Sequence, residues 1–441
     1  MVDKKYSILN CYDSHTHFWA TGQVAEGLRL NSLPSAEAIK KIEIKKSYYR
    51  SNWLVGFGWN QNNWPEPRFP NKALLDSVFP DTPVFFSRID GHASWINSAA
   101  IAELKKGGYD FSHDPPGGII ERDGESNPTG ILLDQAHINA LVKLPEFSEQ
   151  QNRSFFESAQ RIFNKSGFTH VRDLSMTHAS WKILQKMEEQ KALTVCLDSF
   201  ITVENLKDLD RVLAEIEVIK AEPSKQLRLH GVKIFADGSL GSKTASLTRN
   251  YVNTLSNGIL IWSLADMTEL IRRAWLAGQQ VAVHTIGDRA AHTAVVAARE
   301  VSAQGIAGRL HLEHVEILRP ETIGMMKPLH VVCHLQPCHW LSDHSWLKNA
   351  LPVDLLKNLF PWESLRKNKI PFHFGSDSPI EPPSLFNNRI ALEKSIKWGV
   401  PELNADWKIF HAHPDSNWLS CRTQIENDQI KQVFFNNEPL F

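Results

Sequence analysis

Eight short apolar runs, most followed by a stretch of helical pattern, constrain the fold of this 441-residue chain more than any other feature. They fall at 7–13, 169–173, 194–200, 229–235, 281–285, 310–314, 330–336 and 371–377. A strand that is apolar almost throughout is buried on both faces, and a helical crossover between two such strands makes them parallel. The helical stretches lie at 148–165, 208–219, 267–277, 289–303 and from 352 onward; the first opens with Ser148 and Gln151 at capping-box spacing. Eight such units predict an α/β fold, a TIM (β/α)8 barrel. A doubly wound open sheet fits the alternation almost as well.

About a third of the chain separates the first run from the second, where an ordinary βα loop has roughly 2–6 residues. Within it, 53–59 and 83–88 read as strands, and the Gly/Pro/Asp-rich stretch 110–130 reads as loop. We expect an inserted lid subdomain over 46–150, at the C-terminal face of the barrel. The barrel itself starts within 1–45 and continues over 151–400. The tail, 401–441, predicts a small antiparallel element: strand, turn at Asn427-Asp428, strand, turn at Asn436-Asn437, short strand. Residues near Met1 are its expected packing partner.

Charge and composition exclude several classes. Lys+Arg 48 against Asp+Glu 49, with no long basic run, argues against a nucleic-acid or membrane-surface protein. No apolar stretch approaches the roughly 18 residues of a membrane span. The first residues carry no signal-peptide core. Five cysteines without a CxxC pair imply a reduced, cytoplasmic protein. The 14 Trp and 19 His permit a metal-dependent enzyme without showing one.

The sharpest local feature is Asp13-Ser14-His15-Thr16-His17 at the end of the first strand. Side chains two apart on a strand share a face, so both imidazoles can reach one cation. His-x-His alone is weak. It gains weight from Lys233 on the fourth predicted strand, His284 ending the fifth, His314 ending the sixth and Asp377 ending the eighth. In a barrel those strand ends converge. On spacing alone, Lys233 is equally well a salt-bridged lysine, and Asp377 could be a structural strand-end aspartate.

Read as an ordered set, DSHTH, VKIFADGSLGSKTA, VHTIGD, LEHVE and GSDSP resemble the amidohydrolase superfamily. GFGWNQNNW, RIDGHASWINSAA and ADGSLGSKTASL are similar to its family 3, the YtcJ-like metal-dependent hydrolases that include N-substituted formamide deformylase. The resemblance runs from about Asp13 to Pro379. It implies that His15, His17 and Asp377 hold one divalent metal and that His284 and His314 hold a second. Lys233 would bridge the two as a carbamate formed with CO2. The expected ions are two Zn2+ per chain, and Asp377 is the expected proton shuttle in hydrolysis of a non-peptide C–N bond of a small molecule. A mononuclear deaminase, or an esterase or lactonase, on the same scaffold is the alternative; a silent barrel serving as a scaffold is the reading from another class. His92, Trp95, Asp237 and Gln336 are expected to meet substrate, with His339 and Trp340 as further candidates. Relative to the family pattern the β-sandwich portion is reduced. No nucleic-acid or membrane partner is expected, and a homodimer stays open.

Overall fold

The computed structural model describes residues 5–89 and 91–440. Its central sheet holds eight parallel strands: Tyr12–Thr16 (β1), His170–Asp173 (β2), Cys196–Thr202 (β3), Leu227–Phe235 (β4), Gln280–Thr285 (β5), Arg309–His314 (β6), His330–Leu335 (β7) and Phe372–Phe374 (β8). Each pairs with its sequence neighbour. The two end strands then meet: Thr16 bridges Ser378 in parallel, and the Asp377 N–H donates to the His15 carbonyl at 2.8 Å. This closes the sheet into the expected (β/α)8 barrel, with helices such as His178–Glu189, Leu209–Lys220, Leu264–Leu276 and Asp288–Ser302 following successive strands. Apolar strand residues such as Val171, Leu197, Val232, Val283 and Leu312 are fully buried, as a sheet covered on both faces requires.

The run 7–13 is not one strand. Lys5–Leu9 belongs to a second, antiparallel sheet, and the barrel begins only at Tyr12. The break is Asn10, whose φ of 44° places it in the left-handed region that asparagine tolerates better than most residues. Its side chain accepts from the Cys421 N–H at 3.0 Å and donates to the Ser416 and Trp418 carbonyls at 3.2 Å each. The tail element is present: Lys5–Leu9 pairs with Arg422–Glu426, which pairs with Gln429–Phe435 and then Glu438–Pro439. Both predicted turns have two consecutive residues with positive φ, Asn427 and Asp428 and then Asn436 and Asn437, a combination whose twist suits tight hairpins.

The chain divides into two compact units, one made of residues up to Thr21 and from Ala159 on, the other of Gly22–Ser158. The second is thus wider at both ends than the 46–150 expected. It carries a seven-stranded sheet with Trp53–Trp59 and Val84–Arg88 adjacent and parallel. Neighbours Phe85 and Phe86 fall into opposite apolar clusters, one with Trp53, Ile96 and Leu104, the other with Trp59, Trp64 and Trp95. That is the period-2 alternation of a strand buried on both sides. The stretch 110–130 is corrected here. Gly118–Arg122 and Pro128–Asp134 form an antiparallel hairpin, while 110–117 and the turn 123–127 are loop as expected. Asp123 Oδ1 sets that turn by accepting from the N–H groups of Glu125 and Asn127. The Gly/Asp cluster at 123–127 marked the hairpin turn and the Pro/Asp-rich 110–117 the loop before it.

Asn97 pins this second unit. Its Oδ1 accepts from Val84 and Ala100 N–H, and its Nδ2 donates to the Phe79 and Thr82 carbonyls, all with the side chain fully buried. Asn97→Ala strips four polar groups of partners. We expect a loss of about 1–3 kcal/mol, read by urea unfolding; an unchanged midpoint would contradict this accounting. No helix among the described residues is long and apolar enough to cross a membrane.

Candidate metal centre

Strand β1 and the residue after it deliver His15 and His17. Each presents Nε2 at 3.3 Å from the same Asp377 Oδ1. The rings of His15 and His314 stand 4.5 Å apart between centroids, as do those of His284 and His314. His15, His314 and Asp377 place one ligand-type atom each within 4.8 Å of the others. Two of these positions sit on strained backbone: φ is 69° at His314 and 60° at Asp377. Neither is a glycine, and residues held in this region cost about 1–3 kcal/mol, a cost that concentrates where side-chain direction matters for function. Lys233 points its amine into the same interior, fully buried and with no hydrogen-bond partner.

Each imidazole has one ring nitrogen committed to an acceptor or hydroxyl outside the cluster. His15 Nδ1 lies 2.6 Å from Glu313 Oε2, and Glu313 is paired at 2.9 Å with Arg172. His314 Nδ1 meets Gln336 Oε1 at 2.9 Å, the amide being oriented by its Nε2 donating to the His334 carbonyl. His284 Nε2 meets the Gly238 carbonyl at 3.1 Å, and His17 Nδ1 the Ser175 hydroxyl at 3.4 Å. This is how metal-ligating histidines are held: one nitrogen hydrogen-bonded, the other left for the ion.

The electrostatics point the same way. Burial, then the Lys233 charge, push His284 down to about 3; burial, then His284 and His15, hold His314 well below its ordinary range. Both are therefore neutral lone-pair donors at pH 7. Burial opposes ionisation of Asp377, but the imidazole of His15, 3.3 Å away, outweighs it and keeps the carboxyl well below the usual range. Burial pulls Lys233 down to about 8 against the opposing charge of Glu313.

The residues fit a divalent cation. His15 Nε2, Lys233 Nζ and Asp377 Oδ1 are buried polar atoms with no hydrogen-bond partner, which is costly unless something polar is meant to lie between them. Two donors about 2.0–2.2 Å from one tetrahedral ion stand roughly 3.4 Å apart, close to the 3.3 Å from Asp377 to each histidine of the His-x-His pair.

Not every expected residue joins this cluster. Trp95 is fully buried in the core of the second unit, its indole N–H on the Asn71 carbonyl, so it packs that unit instead of meeting substrate. Asp237 is buried and saturated: Oδ1 accepts from Ile286 N–H, and Oδ2 from Ser246 and Gly287 N–H. It organises the loop beside His284 and is corrected from substrate contact to that task; burial, against those three bonds, raises it to about 7. Gln336 likewise orients His314. His92 lies on the surface of the second unit, its Nδ1 3.1 Å from Asp134 Oδ1. Sequence reasoning missed Glu313, Arg172 and Glu316. The available signal was a carboxylate within a strand that closes on a candidate ligand, as in Leu310-His311-Leu312-Glu313-His314.

Residues 12–391 match the sequence model of the amidohydrolase family. The putative amidohydrolase YtcJ of Bacillus subtilis (strain 168) is 32% identical over 390 residues, 87% of this chain and 72% of that protein. An N-substituted formamide deformylase of Arthrobacter pascens is 26% identical over 333 residues, 72% of this chain and 60% of that protein. Among solved structures, an uncharacterized metal-dependent hydrolase from Pyrococcus furiosus aligns with TM-score 0.75 at 25% identity, covering 96% of this chain and 87% of that one. With a closed barrel, imidazoles and a carboxylate gathered around one interior, and a family match along most of its length, this chain belongs to the amidohydrolase family of metal-dependent hydrolases.

Proposed function

We propose that this chain hydrolyses a non-peptide C–N bond, of amide or formamide type, in a small molecule, at a centre of two divalent cations, with zinc the expected ion. The observation that carries the reading is Lys233, a buried amine with no hydrogen-bond partner among His15, His284, His314 and Asp377. Addition of its neutral amine to CO2, with loss of one proton, would make an anionic carbamate, a ligand suited to cations where a protonated amine is not. His15, His17 and Asp377 would hold one ion and His284 and His314 the other. Bound there, a divalent cation supplies a Lewis acid and brings the pKa of water toward about 7.

The protein's own part is positioning and proton transfer. Asp377 takes the proton of the attacking water and returns it to the departing nitrogen, because an amine leaves poorly unless protonated. Glu313 fixes the tautomer of His15 and Gln336 that of His314. The likeness to a protein described as an N-substituted formamide deformylase supports the bond type.

Elemental analysis of the purified protein should find about two divalent ions per chain, as in other two-metal hydrolytic sites. Lys233→Ala should lose one ion and the activity together. A panel of formamides, amides, esters, lactones and amino-heterocycles, followed by release of amine, acid or ammonia, reads the reaction. A single ion with Lys233 unmodified, and ammonia from an amino-heterocycle, would replace this reading with a mononuclear deaminase.

A further inference from the structure

The centre holds a fifth imidazole that the assigned ligand set leaves out. His339 stands in the first turn of the helix Pro337–Ala350, which follows β7 directly. Its Nδ1 lies 3.0 Å from Glu316 Oε1, and both residues are buried. Its Nε2 has no hydrogen-bond partner and lies 3.8 Å from Asp377 Oδ2. Its ring stacks parallel to that of His314, with centroids 6.0 Å apart and an interplanar angle of 18°.

The arrangement repeats that of His15 on the other side of the same carboxylate. There, Glu313 holds Nδ1 and the unpartnered Nε2 faces Asp377 Oδ1. Here, Glu316 holds Nδ1 and the unpartnered Nε2 faces Oδ2. A buried carboxylate behind an imidazole fixes its tautomer and raises its basicity, the pairing that second-sphere groups give metal ligands. Burying an imidazole nitrogen with nothing to bond is costly, and packing alone would be served by an apolar side chain of similar size. Glu316 has an unpartnered Oε2 as well, so the pair is not saturated within the protein.

We propose that His339 is a further donor to the metal centre, its Nε2 serving the ion on the Oδ2 side of Asp377 with Glu316 as its positioning residue. The inference rests on the metal-centre reading above and adds to it a residue from the helix that follows β7. The seventh strand then contributes to the centre through the turn that follows it, and the ion beside His284 and His314 gains a third imidazole.

The test uses Co2+ as the probe. Chelated wild-type protein, His339→Gln and Glu316→Gln are titrated with CoCl2 and followed by visible absorption, with circular dichroism confirming the fold of each. His339→Gln should weaken uptake of one of the two ions by at least tenfold and alter its absorption band. Glu316→Gln should weaken the same ion by about tenfold, the lower end of what loss of a second-sphere partner does. If His339→Gln does not fold, Glu316→Gln carries the test, since it keeps the imidazole and removes only the charge behind it. Equal affinities and identical spectra in wild type and variants overturn the proposal and leave His339 facing substrate. Wild-type protein that takes up no cobalt at all fails the metal-centre reading itself, a different outcome.

Discussion

Asp377→Asn is expected to lower kcat by roughly 10²–10⁴-fold, the range for removing a positioned acid–base group. The amide is nearly isosteric and keeps an oxygen toward His15 and His17, so the substitution removes the charge and the proton-accepting capacity with little loss of shape. Asp377 is held ionised by His15 against the cost of burial, so its proton-accepting form is the one present at neutral pH. Its two oxygens are also divided, Oδ1 toward the His-x-His pair and Oδ2 toward His314 and His339. Because the residue is a proposed ligand as well, metal content must be measured on the sample used for kinetics. A variant reconstituted with metal and still within tenfold of wild type would show that the proton travels by another group.

Glu313→Ala should cost about 3–5 kcal/mol of stability, the typical penalty for stranding one member of a buried ion pair. Glu313 and Arg172 are essentially inaccessible, with Nη1 2.9 and 3.0 Å from the two carboxylate oxygens. Take the carboxylate away and Arg172 keeps a carbonyl of Ser14 at 3.2 Å and the face of Phe200, neither of which neutralises it. Replacing both, as Glu313→Leu with Arg172→Met, should recover most of the loss, since paired apolar residues avoid the desolvation that the charges incur. A double variant as unstable as the single one would mean the loss comes from packing. The pH dependence follows the same pair. Burial opposes ionisation of Glu313, but Arg172 outweighs it and depresses the folded-state pKa well below the ordinary value. A depressed carboxylate contributes stability that is present above its unfolded pKa of about 4.3 and is lost as pH falls through the folded value. Acid unfolding of the wild type should therefore be steeper than that of the double variant.

How much of this was readable before folding can be judged residue by residue. His15, His284, His314 and Asp377 could be named together because a barrel puts the ends of its strands at one mouth, so chain order plus strand position already implies proximity. The Asn-Asp and Asn-Asn turns of the tail were equally plain, since residues that tolerate positive φ are few. Local chemistry written in adjacent residues, and convergence imposed by a symmetric architecture, both survive reading along a line.

What did not survive is partnership. Arg172 and Glu313 lie 141 positions apart, and nothing in either neighbourhood announces the other. Gln336 and Asp237 looked like substrate contacts because polar residues after strands usually face the mouth; in the folded chain they are consumed by His314 and by three backbone N–H groups. Trp95 looked like a pocket wall until the second unit closed around it. Asn10 interrupts an apolar run only because Cys421 and Trp418 come back to meet it. A periodic pattern says which face of a strand is buried, but the identity of what it is buried against depends on where distant segments are brought. Polar side chains are the ones whose roles change most with that answer, because an unmet hydrogen bond in the interior costs more than a misplaced methyl group.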